Sequence, residues 1–334
     1  MSQHAEASPS GAVLRDPRSA AAPSPSAPAT SPLTSPRRTK GGTRRRALLT
    51  AAVFLLPMLV FYGIYYVYSF VFLGQTSTQN VDLSFTNATS VGFENFRLVL
   101  TDPLFWHALG NNLLFALVQI AVALTLGFFL AVSLASGVRM RRFFYIVFLL
   151  PSLIPAALFA TVFGQMLQTQ SGAINKTLRG VGLGFLAQDW LGNQPSAYAA
   201  IFILLTYMIG LPVMYYTSDL ATANTAVIEA AMIDGARTPQ MYRLILFPML
   251  RGTHKTVILW VLLGSFRAFE VVYFSTQTEP GGRTGITGTY VYNQMFPSSG
   301  GGRIGYASAA SLVVLVVAIV ISAVNVLATR RRKA

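Results

Sequence analysis

Arg267 and Glu270 are the first candidates for a functional role. They form the only opposite-charge pair in the middle or outer part of a long apolar run of the sequence. A separation of three residues places both side chains on one face of a helix, where they could pair. Charges inside apolar runs favour a functional role, since removing them from water is costly. Two interpretations stay open: a contact with a polar solute on its pathway, or a packing ion pair near the outer water interface.

A patterned loop between the fourth and fifth apolar runs is the second candidate. Asn224 can cap a short helix, and Asp234-Gly235 can end it, because glycine adopts the positive φ that a helix stop often needs. Thr238 is predicted to cap a second helix with Pro239 at its first position, where a missing N–H costs nothing. The sequence therefore predicts a helix, a glycine turn and a second helix that leads into the next apolar run.

Other kinds of chemistry have no support in the residues. The chain has no cysteine, and its histidines, at positions 4, 107 and 254, lie far apart with no metal-ligand spacing. No GxxxxGK[ST] motif is present to bind and hydrolyse ATP. We therefore expect no catalytic residue, no metal and no cofactor.

The composition indicates that the helices carrying these residues lie in a membrane. Of 334 residues, 53% are hydrophobic and 11% are charged, which excludes an ordinary soluble domain. Six apolar runs are long enough to cross the hydrocarbon core as helices, and no strand-like alternation competes with them. They are approximately 47–73, 107–134, 143–167, 197–217, 256–275 and 306–328. We predict an all-α, polytopic protein, with breaks in the backbone ladder at Pro151, Pro155 and Pro212.

The basic residues predict the orientation of the six helices. Nineteen lysines and arginines lie in the tails and loops on one side of the spans, and five lie on the other. Because basic residues concentrate in cytoplasmic loops, both termini are expected in the cytoplasm. The net charge of +14 is then explained by the basic residues of the cytoplasmic loops and tails, and nucleic acid is not expected as a partner. We predict a disordered tail at 1–43, a membrane domain at 44–330 with its inner loop at 220–253, and a basic tail at 331–334.

The inner loop resembles the signature of the membrane-spanning permease subunits of binding-protein-dependent ABC importers. That signature reads EAA, three residues, G, nine residues, I-x-LP, and here Glu229-Ala230-Ala231 is followed by Gly235 and by Ile245-Leu246-Phe247-Pro248. Asp234-Gly235-Ala236 matches the DGA of the sugar-importing branch. The motifs Tyr290-Val291-Tyr292 and Gly305-Tyr306-Ala307 are similar to the maltose-type first permease. Three positions depart from the family pattern. Asn224 stands where a proline is usual, and Phe247 where a leucine is usual. The usual Gly-Gly-Pro of the outer loop appears as Gly281-Gly282-Arg283.

The resemblance implies a type I ABC importer permease fold in the cell membrane and a defined set of partners. These are a second homologous permease subunit, a dimer of cytosolic ATP-binding subunits, an extracytoplasmic solute-binding protein and membrane lipid. It further implies that the loop couples to the ATPase through residues Glu229, Ala230, Ala231, Asp234, Gly235 and Ala236. In this family an acidic residue often follows the phenylalanine where Phe269-Glu270 stands. The function implied is carbohydrate import driven by a separate ATPase.

Three alternatives remain at this level. The loop could be a plain amphipathic hairpin with helix-favouring alanines. The chain could be a self-sufficient secondary transporter or channel, although no internal repeat is evident. A membrane-embedded enzyme would need convergent catalytic groups, for which the residues offer no candidates.

Overall fold

The computed structural model describes residues 41–85, 88–276, 283–298 and 300–330, with side chains from 47 to 327. The predictions for the N-terminal tail before residue 41, for Gly281-Gly282 and for the basic tail at 331–334 lie outside these residues. The chain divides into two compact units, Met1–Phe61 and Tyr62–Ala334. The described part of the first unit is a single helical stretch, and all other elements below belong to the second.

Within the described ranges, four unbroken helices are long and apolar enough to cross a bilayer. Helix α1, Gly41–Ser77, begins within the segment that the sequence analysis assigned to the tail. The other three are α3, Pro103–Ala135, α7, Gln194–Ala221, and α13, Ile304–Arg330. Pro103 starts α3 next to Asp102, whose carboxylate accepts from the Leu104 amide at 2.8 Å. These helices coincide with the first, second, fourth and sixth apolar runs.

The third and fifth apolar runs are bent helix pairs. The sequence analysis predicted a break in the third run, at Pro151 and Pro155, but none in the fifth. Helices α4, Arg141–Leu153, and α5, Ala156–Met166, meet at 95°. The break follows from Pro155, because the residue before a proline disfavours helical backbone, and Ile154 is extended with ψ 135°. Helices α10, Arg251–Ser265, and α11, Phe269–Thr276, meet at 52° with no proline at the break. Pro212 lies inside α7, which continues as one span, and the turn before it, Thr206–Ile209, is a 3₁₀-helix.

The remaining elements are short. Helix α2 spans Glu94–Thr101, α6 spans Ala173–Gly180, α8 spans Thr225–Ile233, α9 spans 238–249 and α12 spans Thr287–Met295. Strand β1, Gln79–Asn80, pairs antiparallel with β2, Thr89–Ser90. The described part of the chain has only this two-residue ladder and one isolated bridge, between Asp82 and Arg303, and is otherwise mostly helical, so the predicted all-α class is confirmed.

Three clusters of buried side chains succeed one another along α3. The amino-end cluster joins α3 to α2, α12 and α13 around Phe105 and Tyr306. The middle cluster joins α3 to α5, α7 and α11 around Phe115 and Ile201. Within it Gly164 is packed so closely on α11 that a Cβ would lie 2.7 Å from the Ser275 carbonyl oxygen. The loop cluster, around Tyr216, joins the carboxyl ends of α3 and α7 to α9 and α10.

Candidate functional site

Helix α8 is a nine-residue helix with a hydrogen-bonded cap at each end. The Asn224 side chain accepts from the Ala226 amide at 3.1 Å, as the sequence predicts. At the other end Gly235 has φ +76°, its amide donates to the Met232 carbonyl, and the Ala236 amide donates to the Ala231 carbonyl. This pair of bonds is the Schellman motif, which requires a left-handed residue and so favours glycine. The loop therefore turns at Gly235 in a fixed geometry.

The second helix of the loop begins one residue earlier than predicted. Arg237 occupies the cap position, and its amide donates to the Gln240 side chain at 2.8 Å. Thr238 is the first helical residue and Pro239 the second, so the prediction that Thr238 is the cap is wrong. Proline is still tolerated there, because amides of the first turn have no partner within the helix.

The surface of α8 is unusual because the helix is apolar and buries none of its residues. Met232 is 58% exposed and Ile233 is 86% exposed, while Glu229 and Ala230 are also on the outside. Two half-buried residues of α8, Ile228 and Ala231, pack against the loop cluster, and Ala236 does so after the turn. Large apolar patches on an exposed surface indicate contact with a partner or a membrane. Asp234, which ends the helix, is likewise exposed.

Helix α9 links this hairpin to the membrane helices through Phe247. Residues Met241–Leu246 form a π-helical segment, and Phe247-Pro248 follow directly. The Phe247 ring lies 4.2 Å from the ring of His254 and 5.4 Å from that of Phe128, centroid to centroid. The departure from the usual leucine thus places an aromatic ring against the loop cluster.

A buried hydrogen-bond relay, which the sequence analysis missed, runs through His254. Its Nε2 faces the Phe247 carbonyl oxygen at 2.8 Å, and its Nδ1 faces the Tyr216 hydroxyl at 2.8 Å. A carbonyl can only accept, so Nε2 carries the proton and Nδ1 of the neutral ring accepts from Tyr216. Nearby, the Thr253 hydroxyl donates to the Asp219 carboxylate. The carboxyl end of α7 is therefore bonded to the start of α10 at two points.

Arg267 and Glu270 lie at the 52° break between α10 and α11. The Arg267 amide closes the last turn of α10 on the Gly264 carbonyl at 2.9 Å, and Glu270 sits in the first turn of α11. Both side chains are exposed. Of these two described side chains, neither forms an ion pair with the other within 4.0 Å, unlike Arg97 and Glu94, which pair at 2.5 Å.

Asn112 organises the same break from the side of α3. Its Nδ2 donates to the Ser265 carbonyl at 2.7 Å, while its Oδ1 accepts from the Thr287 amide at 2.8 Å and from the Thr287 hydroxyl at 2.7 Å. Asn112 and Thr287 are at most 1% exposed. One amide side chain therefore satisfies the carboxyl end of α10 and the amino end of α12. Asn112 forms no part of a motif that the sequence analysis used.

Neighbouring Asn111 fixes the backbone at Arg283, where the sequence departs from the family pattern. Its Nδ2 donates to the carbonyls of Arg283 and Gly285, both at 2.7 Å, and its Oδ1 accepts from the Tyr198 hydroxyl at 2.7 Å. The segment that begins at Arg283 is thus held by α3 and α7. A proline at position 283 is not needed to fix it.

A third polar group closes the amino end of α3. The Tyr290 hydroxyl donates to Asp102 at 2.5 Å and contacts the Tyr306 hydroxyl at 2.6 Å. Burial and the hydrogen bond with the Asp102 carboxylate raise the pKa of the Tyr290 phenol, so it stays protonated at physiological pH. Both tyrosines belong to the motifs on which the family resemblance rests, and the structure gives them a common partner.

Metal ligands do not gather anywhere in the described ranges: no group of three or more His, Asp or Glu side chains there could hold an ion. The sites consist of packing surfaces and hydrogen-bonded polar side chains. Such an arrangement can transmit movement between a surface helix and membrane helices.

This chain is similar in sequence to transport-system permeases and in fold to a solved transporter chain. The probable ABC transporter permease protein YurN of Bacillus subtilis is 30% identical over 277 residues, covering 81% of this chain and 92% of the relative. The multiple sugar-binding transport system permease protein MsmF of Streptococcus mutans is 28% identical over 256 residues, covering 74% and 86%. The fold is similar to a chain in a crystal structure of a bacterial alginate ABC transporter in complex with an alginate pentasaccharide-bound periplasmic protein. That match has a TM-score of 0.73 and 21% identity, and it covers 88% of this chain and 98% of the other.

A family model described as the inner membrane component of binding-protein-dependent transport systems matches residues 123–334. This range contains the patterned loop at 220–253, the His254 relay and both halves of the bent fifth span. It is more than half of the chain, and the relatives extend the likeness toward the amino terminus. The resemblance inferred from the EAA pattern is confirmed, and the chain belongs to the family of binding-protein-dependent transport system inner membrane components.

Proposed function

We propose that this chain is the transmembrane subunit of an ATP-driven carbohydrate importer and forms half of its translocation pathway. Each bent pair counts as one span in this proposal, which gives six spans between residues 44 and 330 with both termini in the cytoplasm. The loop at 220–253 then lies inside, next to the ATPase. The basic-residue asymmetry of the sequence supports this orientation.

The observation that carries the coupling role is the exposed apolar surface of α8. Met232 and Ile233 face outward from a helix whose two ends are fixed by Asn224 and Gly235. A preorganised helix loses little entropy on docking, and its apolar side chains gain stability from burial. We assign Glu229, Ala230, Ala231, Asp234, Gly235 and Ala236 to this docking surface.

Partners and substrate follow from the relatives as inferences. Permeases of this family work with solute-binding proteins, and the alginate transporter was crystallised with one. We infer a second homologous permease, a dimer of cytosolic ATP-binding subunits and an extracytoplasmic solute-binding protein as partners. The names of MsmF and of the alginate transporter support a mono- or oligosaccharide as the substrate class.

Arg267 and Glu270 are proposed to face the translocation pathway. Both are exposed at a bend that Asn112 fixes, and they do not neutralise each other through an ion pair. An unpaired charge within a span is costly in lipid, so a polar pathway or a partner subunit is the environment that stabilises it.

Cysteine crosslinking tests the coupling proposal, because the chain has no cysteine of its own. Ile233→Cys should crosslink to a co-purified ATP-binding subunit, with a yield that changes when ATP is added. Leu126→Cys, on an exposed position of α3, serves as the control and should not crosslink to it. If the chain purifies without any ATPase and moves solute alone in liposomes under an ion gradient, the secondary-transporter alternative replaces this proposal.

A further inference from the structure

Two π-helical segments face each other across a groove between α3 and α9. One is Ala123–Gly127 within α3, and the other is Met241–Leu246 within α9. The groove has a volume of about 590 Å³ and is lined from both helices. π-Helical turns are rare and are found frequently at functional sites. Two of them on opposite walls of one groove indicate a binding site.

The lining of the groove is apolar with one cationic group. Helix α3 contributes Leu124, Phe128 and Phe129, and α9 contributes Tyr242, Arg243 and Phe247. The two walls are in contact through an edge-to-face ring pair, Phe129 and Tyr242, whose centroids lie 6.0 Å apart. None of the lining residues is acidic, and Arg243 is exposed. The groove therefore suits a ligand with an apolar body and a negatively charged end.

The position of the groove along α3 decides what that ligand is. Helix α3 has 33 residues, or about 50 Å, against a hydrocarbon core of about 30 Å, so about 10 Å can project at each side. The groove residues on α3 lie about 9 to 16 Å from Ala135, the end of the helix. In the proposed orientation this is the level where the acyl chains of the cytoplasmic leaflet meet their headgroups.

We propose that the groove binds an anionic phospholipid of the cytoplasmic leaflet, with an acyl chain between the phenylalanines and the phosphate on Arg243. Arginine binds phosphate through charge-assisted hydrogen bonds, and basic pockets between membrane helices on the cytoplasmic side bind anionic headgroups. Phe128 and Phe247 also belong to the packing around His254. A bound lipid would brace α9 against α3, which makes the connection between the α8 hairpin and the spans sensitive to the lipid.

Native mass spectrometry of the full-length chain, purified with its co-eluting subunits, tests the proposal. The probes are dioleoyl phosphatidylglycerol and dioleoyl phosphatidylcholine, which share their acyl chains and differ in headgroup charge. We expect preferential binding of the anionic lipid, and we expect Arg243→Gln to weaken it on the order of tenfold while binding of the zwitterionic lipid is unchanged. Leu124→Trp, which fills the apolar part, should weaken both lipids.

Arg251→Gln is the matched control, because Arg251 is also exposed but does not line the groove. It should retain the binding of phosphatidylglycerol. Equal binding of the two lipids, equal losses in the two arginine variants, or displacement of the lipid by soluble glycerol phosphate alone would overturn the proposal. So would crosslinking of Phe129→Cys to another subunit. The inference rests on the proposed orientation, but the lipid measurement needs no ATP hydrolysis, so failure of the coupling proposal would leave its result interpretable.

Discussion

A graded series of substitutions at Gly235 tests whether the turn of the loop hairpin transmits force. Gly235 has φ +76°, and a Cβ built there meets no atom within 4 Å. Any effect of a side chain must therefore arise from the backbone conformation and not from crowding. A left-handed conformation costs an L-residue about 1–2 kcal/mol, and asparagine tolerates it better than alanine. We expect the hairpin to weaken in the order Asn, Ala, Pro.

The proline variant differs in kind from the other two. Proline fixes φ near −65°, so it cannot adopt the conformation of Gly235, and it removes the amide that donates to the Met232 carbonyl. The turn is then lost, and Glu229 to Ile233 no longer present a fixed surface. We expect Gly235→Pro to abolish uptake, Gly235→Ala to reduce it, and Gly235→Asn to retain most of it. Because Gly235 is exposed, the level of protein in the membrane should stay normal in all three.

The assay compares uptake of a labelled solute, whose import is lost when the gene is deleted, with the amount of permease in the membrane. Gly252→Ala is the control. Gly252 lies in the same loop and does not have a positive φ, and a Cβ added there would meet no atom within 4 Å. Alanine favours helix over glycine by about 1 kcal/mol, so this control should not lose activity. Full uptake by Gly235→Pro would refute the coupling role of the hairpin.

Three further substitutions address the polar contacts that hold the spans. Asn112→Ala should lower the free energy of unfolding by about 2–4 kcal/mol, because the buried Ser265 carbonyl and Thr287 amide lose their partner. The measurement is the thermal unfolding midpoint in detergent, which the control Asn293→Ala, at an exposed position, should not shift. Tyr216→Phe should cost about 1 kcal/mol, and this cost should vanish in a His254→Phe background if the hydroxyl acts through His254. Glu270→Gln should leave the protein level unchanged and lower uptake, while loss of both would assign Glu270 to packing.

The inner loop is the part of the fold that could be read most fully from the sequence. Its signals are local: Asn224 caps the next turn, and Gly235 permits a backbone conformation that few other residues adopt. The six apolar runs were also recoverable, because the bilayer sets a length that a composition window detects. The bend at Pro155 has a local cause, but the angle of the bend is not set by local sequence. At Phe269 the sequence carries no breaker, and the bend there depends on contacts with distant residues.

The polar contacts that position the bends could not be predicted, because their partners are far apart in sequence. Asn112 and Thr287 are separated by 175 residues, and Tyr216 and His254 by 38. An asparagine inside an apolar run signals only that a polar group needs a partner, since an unsatisfied buried amide is costly in lipid. Which partner it finds depends on how the bent helices pack. In this protein the partner of Asn112 is the backbone freed at a helix break, so the break and the asparagine each satisfy hydrogen bonds that the other leaves open.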